Sequence, residues 1–297
     1  MRLVKWLFGL AVAATLAWGG LWFLGARALD QAIATALGDM GSPLRAREHA
    51  VRGFPNRFDI TLTEPRLAQG ALSWAAPFVQ VFALSYRPHH LILVLPPEQR
   101  LALGGESALV TAQDARASLV MQPGARLALD RLVLVAQGPG LLLAGERLGA
   151  DALRAALRPA EGRDPASYDA VIEIEAGFPD AAVLDRIDPE GHLPRRYDLL
   201  RLDGLVRFDR PVDLDALNGV PPRVVEAALT GARASFDGIE LSAVGRVVAD
   251  AWGRPGGEFT LAVTGWAALL DVLDAAGALP PETMAWVRLA APGLTRP

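Results

Sequence analysis

The sequence predicts an α+β, β-rich protein: an N-terminal single transmembrane helix, an antiparallel-sheet exported domain with short helices, and a C-terminal helical hairpin. Three observations carry that reading. Trp6 to Ala26 is an unbroken run of 21 uncharged residues. Most of the chain beyond it alternates apolar and polar residues in short stretches separated by Gly and Pro, the pattern of half-buried strands. Near the end, two apolar stripes at helical spacing flank Pro280-Pro281.

At about 1.5 Å per residue the apolar run reaches roughly 30 Å, the thickness of a bilayer's hydrocarbon core. Arg2 and Lys5 precede it, and Arg27, Asp30 and Asp39 follow. The positive-inside rule puts the N-terminus in the cytoplasm and the rest outside. Trp18, Trp22 and Phe23 lie toward the outer end, where amphipathic rings suit the membrane interface. A cleaved signal peptide is the competing reading, since Ala26-Arg27-Ala28 has the A-x-A form. The run exceeds the usual length of a signal-peptide apolar region, which favours an uncleaved anchor. The expected location is the inner (cytoplasmic) membrane, single-pass, with the C-terminal domain in the periplasm.

Leu29, Ile33, Leu37 and Met40 form the stripe of a short stalk helix that ends at Gly41 and Pro43. Phe58, Ile60 and Leu62 alternate with polar neighbours as a half-buried strand. Val79 to Tyr86 and Leu91 to Leu95 are apolar on both faces. Further strands are expected at Ala117–Gln122, Leu127–Val135, Val171–Glu175, Leu205–Asp209, Ala232–Phe236, Ile239–Val248 and Phe259–Thr264, with Asp237-Gly238 as a hairpin turn. Short helices are expected at Leu148–Leu157 and, after Pro221-Pro222, at Val224–Leu229. Trp266, Leu269, Leu270 and Leu273 mark a helix ending at Gly277, and Met284 and Val287 mark its partner. The polar stretch Pro159 to Ser167 reads as a linker. The division is 1–28 cytoplasmic tip and anchor, 29–43 stalk, 44–158 first β-rich half, 159–167 linker, and 168–297 second half with the helical hairpin. Gly53-Phe54-Pro55 and Gly177-Phe178-Pro179 hint at a weak internal repeat of the halves.

Formal net charge is −4, with no basic face, so no nucleic-acid partner is expected. No cysteine is present, which excludes disulfides, thiolate metal sites and cysteine nucleophiles. Of the four histidines, His89 and His90 would point to opposite faces of a strand, and His49 and His192 lack ligand-like spacing. Asp213-Leu214-Asp215 has no closing Glu for a calcium loop and reads as a cap of a short helix ending at Asn218-Gly219. No metal or cofactor is expected, and no nucleophile–base constellation is visible.

The stretch Gly53-Phe54-Pro55-Asn56-Arg57-Phe58-Asp59 reads as turn chemistry. Gly53 can take positive φ, Pro55 holds Phe54 extended, and Asn56 suits a turn. Phe54 is expected inward as a plug, with Arg57 and Asp59 on one strand face. Together with the anchor and the segment Trp74-Ala75-Ala76-Pro77-Phe78-Val79-Gln80-Val81-Phe82, this stretch resembles the bacterial family called domain of unknown function 2125. The resemblance implies a membrane-anchored cell-envelope protein without assigned activity. It makes Gly53, Phe54, Pro55, Arg57, Phe58, Asp59, Trp74, Pro77 and Phe78 the candidate structural or ligand-adjacent motif. More distantly, the architecture is similar to AsmA-like and YdgA-like envelope proteins, some of which handle lipid; this is a likeness of fold alone. The functional expectation is a non-enzymatic envelope protein that binds or guides lipid or another hydrophobic ligand. The alternatives are a scaffold binding another envelope protein, and a hydrolase.

Overall fold

A computed structural model describes residues 2–178, 181, 185, 195–215, 222–236, 238–249, 255–275 and 279–294. Asp180, His192, Asn218-Gly219, Pro221, Asp237, Gly277 and Pro297 lie outside the described residues.

Helix α1 runs unbroken through Arg2–Gly38, 37 residues, or about 55 Å at the α-helical rise. The stalk is therefore the last ten residues, 29–38, of one helix, because nothing between Ala26 and Leu29 breaks it. Leu29, Ile33 and Leu37 are half-buried as the stripe required, but Met40 is 92% exposed and falls outside it. Arg45 closes the helix: its two terminal nitrogens donate to the carbonyls of Leu37 and Met40, each at 2.9 Å. A cation at the carbonyl end also suits the helix dipole.

The rest of the described chain is dominated by two antiparallel sheets. Twelve strands form a long sheet in the order β19-β18-β17-β16-β15-β14-β11-β10-β7-β6-β3-β2. In chain order these are β2 Glu48–Arg52, β3 Arg57–Thr63, β6 Phe78–Leu84, β7 Arg87–Leu95, β10 Asp114–Met121 and β11 Leu129–Gln137. They continue as β14 Ala152–Pro159, β15 Ser167–Gly177, β16 Tyr197–Phe208, β17 Val224–Phe236, β18 Ile239–Ala249 and β19 Pro255–Thr264. A shorter seven-stranded sheet has the order β1-β4-β5-β8-β9-β12-β13. Its strands are β1 Leu44–Arg45, β4 Arg66–Gln69, β5 Leu72–Ala75, β8 Glu98–Leu103, β9 Glu106–Thr111, β12 Gly140–Leu143 and β13 Glu146–Gly149.

One device joins the sheets. Three times a long strand leaves the twelve-stranded sheet through a two-residue corner, makes a hairpin in the short sheet, and returns through a second corner. The corners are Glu64-Pro65 with Ala76-Pro77, Pro96-Pro97 with Ala112-Gln113, and Gly138-Pro139 with Ala150-Asp151. Proline cannot donate to a ladder, so it ends pairing where the chain must bend. Pro65, Ala76, Pro96, Ala112 and Ala150 are buried. Paired corners are tied by backbone bonds: Glu64 N to Pro77 O (2.8 Å), Ala112 N to Pro97 O (2.9 Å) and Gly138 N to Asp151 O (2.8 Å).

Several expectations change. Leu148–Leu157 and Val224–Leu229 are not helices; their cores lie in strands β14 and β17. Leu153 and Leu157 are four apart, a spacing that satisfies both a helical turn and two strand alternations. In Val224–Leu229, pairing to both β16 and β18 overrides the helix-forming Glu226-Ala227-Ala228-Leu229. Pro159–Ser167 is a hairpin turn between adjacent strands, closed by Ala160 N to Ser167 O at 2.9 Å, rather than a linker between halves. The two Gly-Phe-Pro triplets are not equivalent: the first precedes β3, whereas Gly177 ends β15 and Phe178 bridges to Gly149. The repeat that exists is the corner–hairpin–corner unit. The C-terminal hairpin is present as α2, Trp266–Ala275, and α3, Pro281–Leu294, with Leu270 and Met284 buried.

Tyr168 lies near the start of β15, at the end away from the corners, opposite Pro159 and Val206. It is 1% exposed, its ring meets Phe208 edge-on at 5.7 Å, and its hydroxyl oxygen accepts from Val212 N at 2.8 Å. Burial pushes its phenol above the ordinary value near 10, although the Val212 bond pulls the other way. Tyr168→Phe leaves the Val212 N–H without its acceptor and should lower stability by about 1–3 kcal/mol, read from thermal melts of the full chain in detergent. Between the unfolded and folded pKa the native state holds a phenol proton that the unfolded chain has released, so this contribution is complete below pH ~10 and is lost above it. The stability gap between wild type and Tyr168→Phe should therefore narrow above that pH.

Candidate functional site

Cross-strand register decides which side chains share a face of the long sheet. Starting at β2, paired residues run Val51, Ile60, Val81 and Leu93, then Ala117, Leu134, Ala155 and Ile172, then Leu202, Ala232, Ala243 and Leu261. All twelve are apolar. The row nearer the corners reads Leu62, Val79, Leu95, Ala115, Ala136 and Leu153, then Ile174, Leu200, Ala234, Leu241 and Val263, with His49 at its start. The row on the other side reads Phe58, Ala83, Leu91, Leu119 and Leu132, then Leu157, Ala170, Gly204, Leu229, Gly245 and Phe259. Twelve strands at about 4.8 Å make this apolar face roughly 50 Å long.

The opposite face is mixed, with Val94 and Val135 among the polar residues of its central row and Phe82, Ile92, Val133 and Val171 in the next. Its central row includes Thr61, Gln80, Arg116, Arg154, Glu173, Arg201, Arg233 and Ser242. Arg201 donates to Glu173 and Asp203, both at 2.8 Å, and this pairing holds the Asp203 carboxyl below its ordinary range.

The corner-side row is buried at Leu62, Val79, Ala115 and Ala136, and Ala83 is buried in the far row; elsewhere the apolar face is mostly half-exposed, and Ile172 and Leu261 are exposed. The buried corner residue Ala112 packs with Ala115, Ala136, Leu95 and Leu153, so the corners bend the short sheet toward this face. The short sheet has an apolar row of its own, Leu67, Trp74, Leu101, Ala108 and Leu143. The chain exposes 19469 Å², against about 12,000 Å² for a compact monomer of its mass. The exposed length of α1 and the open apolar face both contribute to that excess.

At the β2–β3 end the face is covered by α1. Trp22 stacks on Phe58 with centroids 5.9 Å apart, and Asp30 pairs with His49 at 3.0 Å. The Gly53–Asp59 stretch holds the helix there. Gly53 has φ of +102°, and a Cβ on it would lie 2.7 Å from Arg57 O and 2.9 Å from Asp59 Cγ. Phe54 is not an inward plug: it is 63% exposed and lies edge-on to Trp22 at 5.2 Å. The loop's carbonyls are needed as acceptors. Trp18 Nε1 donates to Pro55 O at 3.1 Å, and Trp22 Nε1 to Arg57 O at 2.9 Å. Arg57 pairs with Asp59 at 2.8 Å and lies 5.7 Å over Phe82.

The nine motif residues thus fall into two groups. Gly53, Phe54, Pro55, Arg57, Phe58 and Asp59 form the clamp on α1. Trp74, Pro77 and Phe78 belong to the first corner unit, where Trp74 Nε1 donates to the buried Gln99 Oε1 at 2.9 Å. Trp18 and Trp22 were missed as clamp partners. Their spacing of four and the small Gly25 below them were the available signals. His90 is engaged with Ser118 Oγ at 3.0 Å. Among the described residues no group of three His, Cys, Asp or Glu is placed to hold a metal.

A family described as "Uncharacterized protein conserved in bacteria (DUF2125)" matches residues 22–297. The chain belongs to this DUF2125 family. No curated protein and no solved structure matches it. The DUF2125 match includes the clamp, both sheets and the Trp22 ring that stacks on Phe58.

Gly53→Val in this DUF2125 chain should destabilise by about 1–3 kcal/mol, the cost of a strained backbone position, with the Arg57 carbonyl clash added. Gly20→Val is the control, because no atom lies within 4 Å of a Cβ there. Its melting temperature in detergent should stay near wild type, and the Gly53→Val value should fall clearly below both.

Proposed function

We propose that this protein is a single-pass membrane protein whose exported domain holds lipid acyl chains, or a ligand of the same chemistry, along the apolar face of its long sheet. The carrying observation is the set of three adjacent apolar rows across as many as twelve strands, buried in part on the corner side and largely half-exposed or exposed elsewhere. Apolar area left open on this scale marks a ligand or interaction surface in soluble domains. Helix α1 is long and apolar enough to cross a membrane, and the basic residues before it support an exported domain by the positive-inside rule. Within the three rows His49 is the only titratable side chain, and Asp30 engages it. The face therefore suits holding an apolar ligand rather than reacting with it.

An envelope-protein partner is the second reading. It rests on β19, an edge strand with Phe259 and Leu261 exposed, which suits strand addition by another chain.

Native mass spectrometry of the full chain, extracted in mild detergent, separates the two. Bound phospholipid at near-stoichiometric yield is expected; a stoichiometric protein partner and no lipid would replace this reading with the second. Ile172→Glu places a charge in the middle of the central row and should cut lipid recovery several-fold. Arg154→Gln, on the opposite face, should leave it unchanged. A phosphatase reporter fused after Pro297 should be active only outside the cytoplasm.

A further inference from the structure

The clamp fixes how deep the exported domain sits. The uncharged run Trp6–Ala26 needs all of its length to cross roughly 30 Å of hydrocarbon. The turns between β2 and β3 and between β6 and β7 grip that run at Trp18, Gly19, Trp22 and Gly25. If the bilayer ended below the grip, only Trp6 to Ala17 would remain, about 18 Å of helix, too short to span.

We propose that these two turns are immersed in the outer part of the bilayer, against the acyl chains of the leaflet facing the exported domain. Their surface fits that location: Phe54 is 63% and Tyr86 60% exposed, and neither tip carries a charged side chain from Gly53 to Asn56 or from Leu84 to Tyr86. Backbone bonding fits as well, since polar groups in hydrocarbon must be satisfied within the protein. Pro55 O and Arg57 O accept the two indole N–H groups, Asn56 O accepts Ser85 N at 2.9 Å and Ser85 Oγ at 3.0 Å, and Gly53 O accepts Arg57 N at 3.2 Å. Between helix and turns lies a recess of about 390 Å³, lined by Trp18, Leu21, Trp22, Phe58, Tyr86 and Pro88 among others. Phe58, which lines the recess, is also the first residue of an apolar row. This inference rests on the anchor reading of α1.

The chain has no cysteine, so single-cysteine variants of the full protein take a polarity-sensitive nitrobenzoxadiazole label at one place only. Phe54→Cys, Tyr86→Cys, Leu10→Cys in the middle of the apolar run and Leu103→Cys at the β8–β9 turn are reconstituted in phosphatidylethanolamine–phosphatidylglycerol vesicles, with and without nitroxide-bearing acyl chains. Labels at 54 and 86 should be blue-shifted and quenched at least two-fold, as at 10. The label at 103, exposed on the wild-type surface but away from the clamp, should be neither. Quenching at 10 with none at 54 and 86 overturns the immersion and leaves the anchor standing. An aqueous label at 10 overturns both. Each variant's melting temperature confirms folding, and the two turns report independently, so misfolding of one variant still leaves the other as the test.

Discussion

Everything in the strand-rich domain depends on keeping side-chain parity across twelve strands. In a sheet a one-residue slip sends the whole apolar set of a strand to the other face. Strand β17 shows how the requirement is met. Leu229 and Ala232 both belong to the apolar face, yet they are three residues apart, which would put them on opposite sides of a regular strand. The register shifts there, between the Leu229 and Ala232 pairings with β18. A bulge absorbs the extra residue, and both side chains stay with their rows. The two-residue corners do the same service for the shorter strands, bending the chain without costing the long sheet its register.

The long apolar N-terminal helix, the strand-rich class, the terminal helical hairpin and most long strands were legible, because each is a local pattern of fixed period. The short sheet was not. Its strands of two to six residues, joined by turns such as Leu103-Gly104-Gly105-Glu106, carry too few alternations to stand out from loops. Leu153 and Leu157 illustrate a different limit: their spacing is common to both periodicities, and only pairing on two sides selects the strand. The clamp failed for a third reason. Gly53's backbone geometry was readable from its neighbours, but the destination of Phe54 depended on a helix some 30 residues earlier in the chain. An aromatic residue beside a turn looks the same whether it faces a core or another element.

The apolar face was half legible. Val79–Tyr86 and Leu91–Leu95 drew attention because their sequences are greasy throughout, which obscured the point that mattered. Elsewhere the face is built from strands of modest composition, such as Ala227 to Ala234, whose small side chains lie in line with Ile172 and Leu202 only once register is known. Alanine and glycine are abundant along the far rows. They keep the surface apolar while filling little volume, and that combination leaves room beside the sheet rather than a packed core.

The unbroken helix has a consequence for orientation. It is tied to the domain at Trp18 and Trp22, at Asp30, and again at its last turn by Arg45. Attachment at three heights removes the swivel that a flexible tether would provide. If the helix spans a bilayer, helix and sheet tilt there as one body. Since a long apolar helix answers a thinner bilayer by leaning, local membrane thickness would set the angle at which the sheet rises from the surface, and with it the distance its far edge can reach.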